Sequence, residues 1–308
     1  MTSIFRSNLF NLLTRRYLSR FGDTSNLDFC LLATHNCRDS SYDTSVIMSV
    51  GPNTILSELL ECCASLNEQD CDRFVLLLFF DGAEHLDFLK SLKTFNFPIY
   101  IYKSPSNLGL GVVLNFLCRR SLALGCEYIV RSDADDYSFP SRIRSLISYL
   151  TANKHIDFVG SSYQIVSNIP ALHDKIRKFP ITFQDAFSKS AYSPIVAHAT
   201  VAFRSSVFEG GLIYLDDFKI GIEDQLLWLQ ARLCNLRFSN LPSPLYYVRI
   251  NSSFVRRRLN FDKTFNLFVV RLLHALHPTS SIYYSIIGVS TALLRLLISI
   301  ISIPLNKL

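Results

Sequence analysis

Tyr128-Ile129-Val130-Arg131-Ser132-Asp133-Ala134-Asp135-Asp136 runs an apolar strand, residues 128–130, into three carboxylates crowded on a tight turn. Asp133, Asp135 and Asp136 repel one another unless a cation or several N–H donors neutralise them. Hard divalent cations such as Mg2+ or Mn2+ take carboxylate oxygens and keep sites for phosphate oxygens, so the cluster suggests a metal–diphosphate site. The plainer account is a solvated turn in which an Asp or Ser138 caps a helix starting near Pro140, where the missing N–H is tolerated. Upstream, FVLLLFF at 74–80 is a second unbroken apolar run, stopped by Asp81-Gly82, and SVIMSV at 45–50 is a third, ended by Gly51-Pro52. The pattern predicts helices over 55–66 (Thr54 its cap), 86–95, 111–124 and 140–150, and a strand over 98–102. Fully apolar strands alternating with helices specify a parallel sheet covered on both faces. Ligands of such sheets bind beyond the carboxyl ends of the strands. Here those ends carry Gly51-Pro52-Asn53, Asp81-Gly82 and the Asp cluster, so three strand ends converge on one crevice and two bring carboxylates.

The 308 residues give room for one large domain or two small ones. With 49% hydrophobic and 18% charged residues, a disordered chain is excluded. A mean hydropathy of +0.23 is high for a soluble protein and brings a membrane-facing part into view. The net charge of +6 suits an anionic small molecule or lipid surface and is too small and scattered for nucleic acid. Cysteines at 30, 37, 62, 63, 71, 118, 126 and 234 lack C-x-x-C spacing, which predicts reduced, mostly buried thiols and a cytosolic setting. Arg15, Arg16 and Arg20 interrupt the N-terminal apolar residues before a secretory h-region forms. Residues 1–43 show no single apolar stripe and receive no function. After 150 the alternation weakens into strands at 158–160, 163–166, 197–203 and 246–250 and helices at 183–189 and 223–234. Residues 260–308 read as helical and apolar.

Three further features bear on chemistry. Asn107-Leu108-Gly109-Leu110-Gly111 opens a helix after a strand, either as a tight turn or as backbone brought close to a nucleotide; it is not a dinucleotide fingerprint, since position 114 is leucine. Glu223-Asp224 opens the helix of Trp228, where carboxylates are favoured by the helix dipole. If that helix start faces the crevice, one carboxylate can take a proton from an attacking hydroxyl. His198, at the start of a predicted strand, has no second histidine at metal-ligand spacing and reads as structural.

Taken in order, residues 45–50, Phe79-Phe80-Asp81-Gly82, Asn107-Leu108-Gly109-Leu110 with Leu114-Asn115, and the 128–136 stretch with Pro140 and Arg142 resemble the amino-terminal half of a family 2 glycosyltransferase. His198-Ala199-Thr200 through Arg204, the Glu223-Asp224-Gln225 box with Trp228, and Tyr247-Val248-Arg249-Ile250-Asn251 continue the resemblance, which is nearest to the branch making bacterial capsular, exopolysaccharide and O-antigen sugars. The resemblance implies an α/β GT-A fold over 44–255, a mostly parallel sheet flanked by helices, with 1–43 as a lead and 256–308 as a C-terminal helical segment. It implies a nucleotide-sugar donor, a saccharide acceptor that is lipid-linked, Mg2+ or Mn2+, and inverting transfer. By position, Asp81 would contact the donor's base or ribose, Asn107 would line the donor site, and Asp133 and Asp135 would hold nucleotide and metal. Asp136 would be the nearest metal ligand, Asp224 the general base beside Glu223, and Arg249 a screen for the diphosphate. The aromatic residue usual after the first strand is replaced by Gly51.

A metal-dependent phosphohydrolase or nucleotidyltransferase is the enzymatic alternative, but D-x-D-x-[TV] phosphatases carry their motif after the first strand and this cluster follows the fourth. An inactive membrane-docking module is the other alternative. Residues 282–304 are almost wholly apolar and long enough to span a bilayer, with Arg295 near the middle. Arg256, Arg257, Arg258, Lys263 and Arg271 would form a basic approach to anionic headgroups. The expectation is a protein peripheral to the cytoplasmic face of the cell membrane, its last helix lying in the leaflet.

Overall fold

In the computed structural model, residues 3–24, 27–37, 41–82, 86–216, 220–250 and 261–301 are described. Along the first half run α1 (Ser3–Leu18), β1 (Leu31–His35), β2 (Thr44–Val50), α2 (Leu56–Asn67), β3 (Phe74–Asp81), α3 (Leu86–Lys90), β4 (Ile99–Ser104), α4 (Leu110–Ala123), β5 (Tyr128–Asp133), β6 (Tyr137–Ser138) and α5 (Arg142–Ala152). The second half adds β7 (Phe158–Ser167), β8 (Ile176–Arg177), α6 (Phe183–Lys189), β9 (Ala202–Arg204), α7 (Ser206–Glu209), α8 (Glu223–Leu233), β10 (Phe238–Ile250), α9 (Phe261–Leu276) and α10 (Ile282–Ile301).

The apolar runs form the centre of one sheet, in the order β4-β3-β2-β5, all parallel. Every residue of β3 is buried, as a strand covered on both faces requires. Alternate residues feed opposite cores. Ile47, Val75, Leu77 and Phe79 meet Val113 and Leu117 of α4 and, further along, Trp228 of α8. Val46, Met48, Leu76 and Leu78 meet Leu59 and Cys62 of α2 and Ile143 and Leu146 of α5. Each such side chain taken fully out of water contributes about 1.5–3 kcal/mol, which is why a run this apolar cannot be an edge. The register pairs Ser49 with Asp133 and Asp81 with Ser104, so the strands end nearly level and their last residues share one rim.

Beyond β5 the sheet continues through β9, β7, β10 and β6, with β9 antiparallel to both β5 and β7. At the opposite edge β1 adds antiparallel to β4. The lead thus shares the sheet, and α1 shares a core, placing Phe10, Tyr17 and Leu18 against Leu226, Leu229, Val270 and Leu273.

Several local expectations shift. The first helix begins one residue later than predicted, and its N-cap is Ile55 rather than Thr54. Residues 86–95 split into α3 and a 3-10 turn, Leu92–Thr94. Pro140 lies in the turn before α5, which starts at Arg142. The two strands expected within 158–166 are one, and 197–203 divides into a 3-10 turn, His198–Thr200, and β9. Strand β10 begins eight residues before position 246, interrupted by register shifts about Pro244, because a proline has no N–H for the ladder. No cysteine is bridged; Cys62, Cys63, Cys118 and Cys126 are buried, while Cys30 and Cys234 are exposed.

The C-terminal helices form a hairpin held by Thr264 Oγ1–Ser299 Oγ (2.9 Å) and by Arg271, which donates to the Gly288 carbonyl and to Thr291 Oγ1 at 3.3 Å each. Gly288 lies so close to Ala191 that a Cβ there would stand 2.0 Å from its carbonyl oxygen. Buried Arg232 of α8 pins the hairpin's connection, donating to His274 Nδ1 (3.1 Å), Thr279 Oγ1 (3.0 Å) and Ser280 Oγ (2.9 Å).

Candidate active site

The acidic turn is shaped from behind by groups distant in sequence. The Asp133 N–H donates to the hydroxyl of buried Tyr246 in β10 (2.9 Å), and the Cys62 thiol reaches the Asp133 carbonyl (3.3 Å). Fully buried Arg142 donates to Ser138 Oγ (3.0 Å), the Arg131 carbonyl (2.5 Å) and the Ala199 carbonyl (2.9 Å), its guanidinium 4.2 Å from the Tyr246 ring centroid. It thereby ties the turn to the His198–Thr200 segment. Arg131, buried at the end of β5, forms an ion pair with Asp133. Arg249 donates its backbone N–H to Asp136 Oδ1 (2.7 Å) and its guanidinium to the Asp135 carbonyl (2.5 Å). That guanidinium also pairs with Glu61 and lies 4.9 Å over the Tyr137 ring. In this arrangement Arg249 closes the turn.

One ligand oxygen from each of Asp133, Asp135 and Asp136 falls within a 4.8 Å group. Asp136 is buried, while Asp135 keeps an exposed surface. Loss of water around its carboxyl, then the charge of Asp133, raises Asp135 to about 6. The same causes, with Asp135 added, raise Asp136 well above its ordinary value. Three hard oxygen donors with their charges unbalanced fit a divalent cation such as Mg2+ or Mn2+.

Asp81 has a structural task at its strand end. Its carboxylate accepts the Leu108 N–H (2.6 Å) and the Gly109 N–H (3.0 Å), fixing the loop that carries Asn107 into α4. Gly82 is required beside it: φ is +67°, and a Cβ would stand 2.5 Å from the Asn107 nitrogen.

Glu223 and Asp224 form the first turn of α8, and the start of α4 packs against that turn. A Cβ on Gly111 would lie 3.7 Å from Glu223 Cβ and 3.1 Å from the Leu215 carbonyl oxygen. Asn115 clamps the backbone of Tyr214, accepting its N–H at 2.8 Å and donating to its carbonyl at 2.5 Å. The Tyr214 hydroxyl contacts His198 Nε2 (2.9 Å), and burial with the Arg131 charge holds that imidazole well below its usual range. His198 is thus held by the Tyr214 hydroxyl. Asp224 Oδ1 and Oδ2 accept from the Gln225 N–H (2.8 Å) and Nε2 (2.9 Å). Burial raises the Asp224 carboxyl, opposed by those bonds and by the charges of Lys263 and Arg131.

Arg131 is thus the cation common to both carboxylate groups, lowering Asp135, Asp136 and Asp224 alike. An arginine inside a buried strand was its visible signal. Tyr246 and Lys263 carried no local signal, because their partners lie far away in the chain. Arg256, Arg257 and Arg258 lie outside the described residues.

The sequence pattern described as Glycosyl transferase family 2 matches residues 45–212. An uncharacterized glycosyltransferase of Haemophilus influenzae is 28% identical over 219 residues, covering 70% of this chain and 78% of its own. The amylovoran biosynthesis glycosyltransferase AmsE of Erwinia amylovora is 26% identical over 222 residues, covering 71% of this chain and 80% of its own. The solved structure of the mannosyltransferase PcManGT from Pyrobaculum calidifontis, in complex with GDP-Man and Mn2+, has a TM-score of 0.57 at 14% identity over 96% of this chain and 84% of that one. The fold is the GT-A fold. These matches set aside the phosphohydrolase and nucleotidyltransferase alternatives. The matched segment spans more than half of the chain and holds β2 through β5 with the acidic turn, and on that ground the chain belongs to glycosyl transferase family 2.

Proposed function

We propose that this chain is an inverting, metal-dependent glycosyltransferase that moves a sugar from a nucleotide-sugar to a hydroxyl of a lipid-linked saccharide in bacterial surface polysaccharide synthesis. The observation that carries the reading is a division of carboxylates: a cluster with ligand oxygens within 4.8 Å, and Asp224 held apart on another element. The first suits a cation and a diphosphate; the second suits a proton. AmsE, named for amylovoran biosynthesis, and PcManGT, bound to GDP-Man and Mn2+, support the pathway class, donor class and cation.

Asp135 and Asp136 would hold the metal, with Asp133 beside the nucleotide. When bound, the cation supplies Lewis-acid stabilisation to the departing diphosphate. Asp224 takes the acceptor's hydroxyl proton as that oxygen attacks the anomeric carbon from the face opposite the diphosphate. The bond from that carbon to the diphosphate oxygen breaks, its electron pair leaves with the diphosphate, and configuration inverts. Asp81 holds the Asn107 loop against which the donor rests, and Glu223 flanks the base.

A location at the cytoplasmic face of the membrane is supported by α10. Residues 282–300 have the length and apolarity to cross a bilayer, and only 22% of that window is buried. Arg295 is exposed among exposed Leu293, Leu294 and Leu297. At the centre of a span an Arg costs about 2.5–3.5 kcal/mol. In a helix lying at the headgroup boundary its long stem can follow the apolar surface while the charge stays wet, which favours that placement.

The test is a panel of nucleotide-sugars offered with Mn2+ or Mg2+, read as transfer or donor hydrolysis. Turnover should vanish in chelator, and Asp224→Asn should bind donor normally while turning over about 10²- to 10⁴-fold more slowly. Full turnover in excess chelator removes the metal role. An Asp224→Asn variant within a few-fold of the parent moves the base elsewhere, with Glu223 next.

A further inference from the structure

Two of the cations that the sequence offers to a lipid surface, Arg271 and Lys263, are engaged otherwise in the fold. Arg271 clamps α9 to α10 through the Gly288 carbonyl and Thr291 Oγ1. Lys263 lies beside Gly221, where a Cβ would stand 3.1 Å from its Nζ, and its charge acts on Asp224. A different basic element occupies the neighbouring position. Arg6 of α1 donates to the Ala275 carbonyl (3.2 Å), and Tyr17 donates to Asn266 Oδ1 (2.8 Å), so α1 runs antiparallel to α9. Contacts of Thr264 with Ser299 and of Arg271 with Thr291 show that α9 runs antiparallel to α10. One end of this three-helix layer therefore gathers the end of α1, the start of α9 and the end of α10.

That end is both basic and apolar. Arg15, Arg16 and Arg20 are exposed, and among the described residues none of them forms an ion pair; Arg20 lies 5.8 Å over the Tyr17 ring. Leu12, one turn earlier on α1, is 65% exposed. Phe261, Phe265, Leu297, Ile298 and Ile300 on the other two helices are 38–48% exposed. The exposed acidic residue in the first turn of α9 is Asp262. Lys263, at this same end, touches the Gly221–Asp224 segment, so the end adjoins the candidate base.

Resting on the membrane reading above, we propose that α1, α9 and α10 form one docking surface for an anionic bilayer. Arg15, Arg16 and Arg20 engage the headgroups while the apolar ends of α9 and α10 insert beside them. Charge complementarity selects this occupant: three exposed arginines bordering an apolar edge match anionic headgroups above acyl chains. The consequence for the reaction is orientation. A lipid-linked acceptor rising from that surface arrives next to Asp224 rather than at the far side of the sheet.

Arginines in a last helical turn also complement the helix dipole, so the experiment must read lipid and not stability alone. The full chain is sedimented with phosphatidylcholine vesicles and with vesicles containing phosphatidylglycerol. Each arginine near an anionic surface is worth roughly a factor of five, so Arg15→Gln with Arg16→Gln and Arg20→Gln should weaken partitioning to anionic vesicles on the order of 100-fold. Donor hydrolysis should be unchanged. Leu297→Asp with Ile298→Asp should weaken binding to both vesicle types. If the arginine variant binds like the parent while the apolar variant is released, α1 is not part of the surface and only the membrane reading survives. If the parent binds neither vesicle, both ideas fall. A parent that sediments as a dimer without lipid, and dissociates in the apolar variant, assigns the face to a second copy and overturns the proposal.

Discussion

Replacing Asp81 with Asn separates two roles for this side chain that its position alone cannot separate. The Asp81 carboxylate is buried, and its two oxygens accept backbone N–H groups from Leu108 and Gly109 at 2.6 and 3.0 Å. Hydrogen bonds to a charged group are worth about 1.5–3 kcal/mol each. An amide can accept only one of them, as a neutral bond worth about 1 kcal/mol, and turns its NH2 toward the other donor. The expected loss is thus on the order of 2–5 kcal/mol. At about 2.1 cal/mol/K of unfolding entropy per residue, a chain of this size should melt roughly 3–8 °C lower. Differential scanning calorimetry measures that loss, and titration with the donor measures a second effect, weaker binding because the Asn107 loop is no longer held. The reasoning is refuted if Asp81→Asn melts with the parent while donor affinity falls. Such a result would mean that Asp81 acts by touching the nucleotide and not by shaping the loop.

Asp135→Asn should stabilise the metal-free protein while weakening Mn2+ binding at least about tenfold, since it removes a charge that its neighbours oppose and a ligand at once. Calorimetry and Mn2+ titration check the two halves, and unchanged Mn2+ affinity would remove Asp135 from the metal site. Acid should destabilise the fold through its histidines. Burial and nearby arginines hold His198 and His274 well below their usual range and His277 at about 4. Free imidazoles take a proton near 6.5, so between about pH 6.5 and pH 4 the unfolded chain binds more protons. The histidine contribution to stability is therefore full above that window and falls as pH drops through it. The raised carboxyls of Asp135, Asp136 and Asp224 act in the opposite sense, so the check is the difference between the parent and His277→Gln, and a pH slope of melting temperature that the substitution leaves untouched contradicts the assignment.

Residues 44–152 determined their own architecture to a large extent. A strand buried on both faces needs an unbroken apolar run, and a helix on a sheet needs an apolar stripe; both are properties of adjacent residues. The same local logic placed Asp81 and the Asp133–Asp136 cluster at strand ends on one rim. It was weaker where burial is one-sided or proline interrupts the ladder, as in β10, whose first eight residues were not anticipated. Tertiary structure alone decided the partners. The Tyr246 hydroxyl meets the Asp133 N–H across 113 positions, Arg249 closes over Asp135 and Asp136, and Asp81 accepts the backbone N–H groups that follow Asn107. Likewise α1, unpatterned as a sequence, found its core against α8 and α9. Periodicity reports which side of an element avoids water; which side chain meets which carboxylate depends on how whole layers pack, and that information lies in no single stretch of chain.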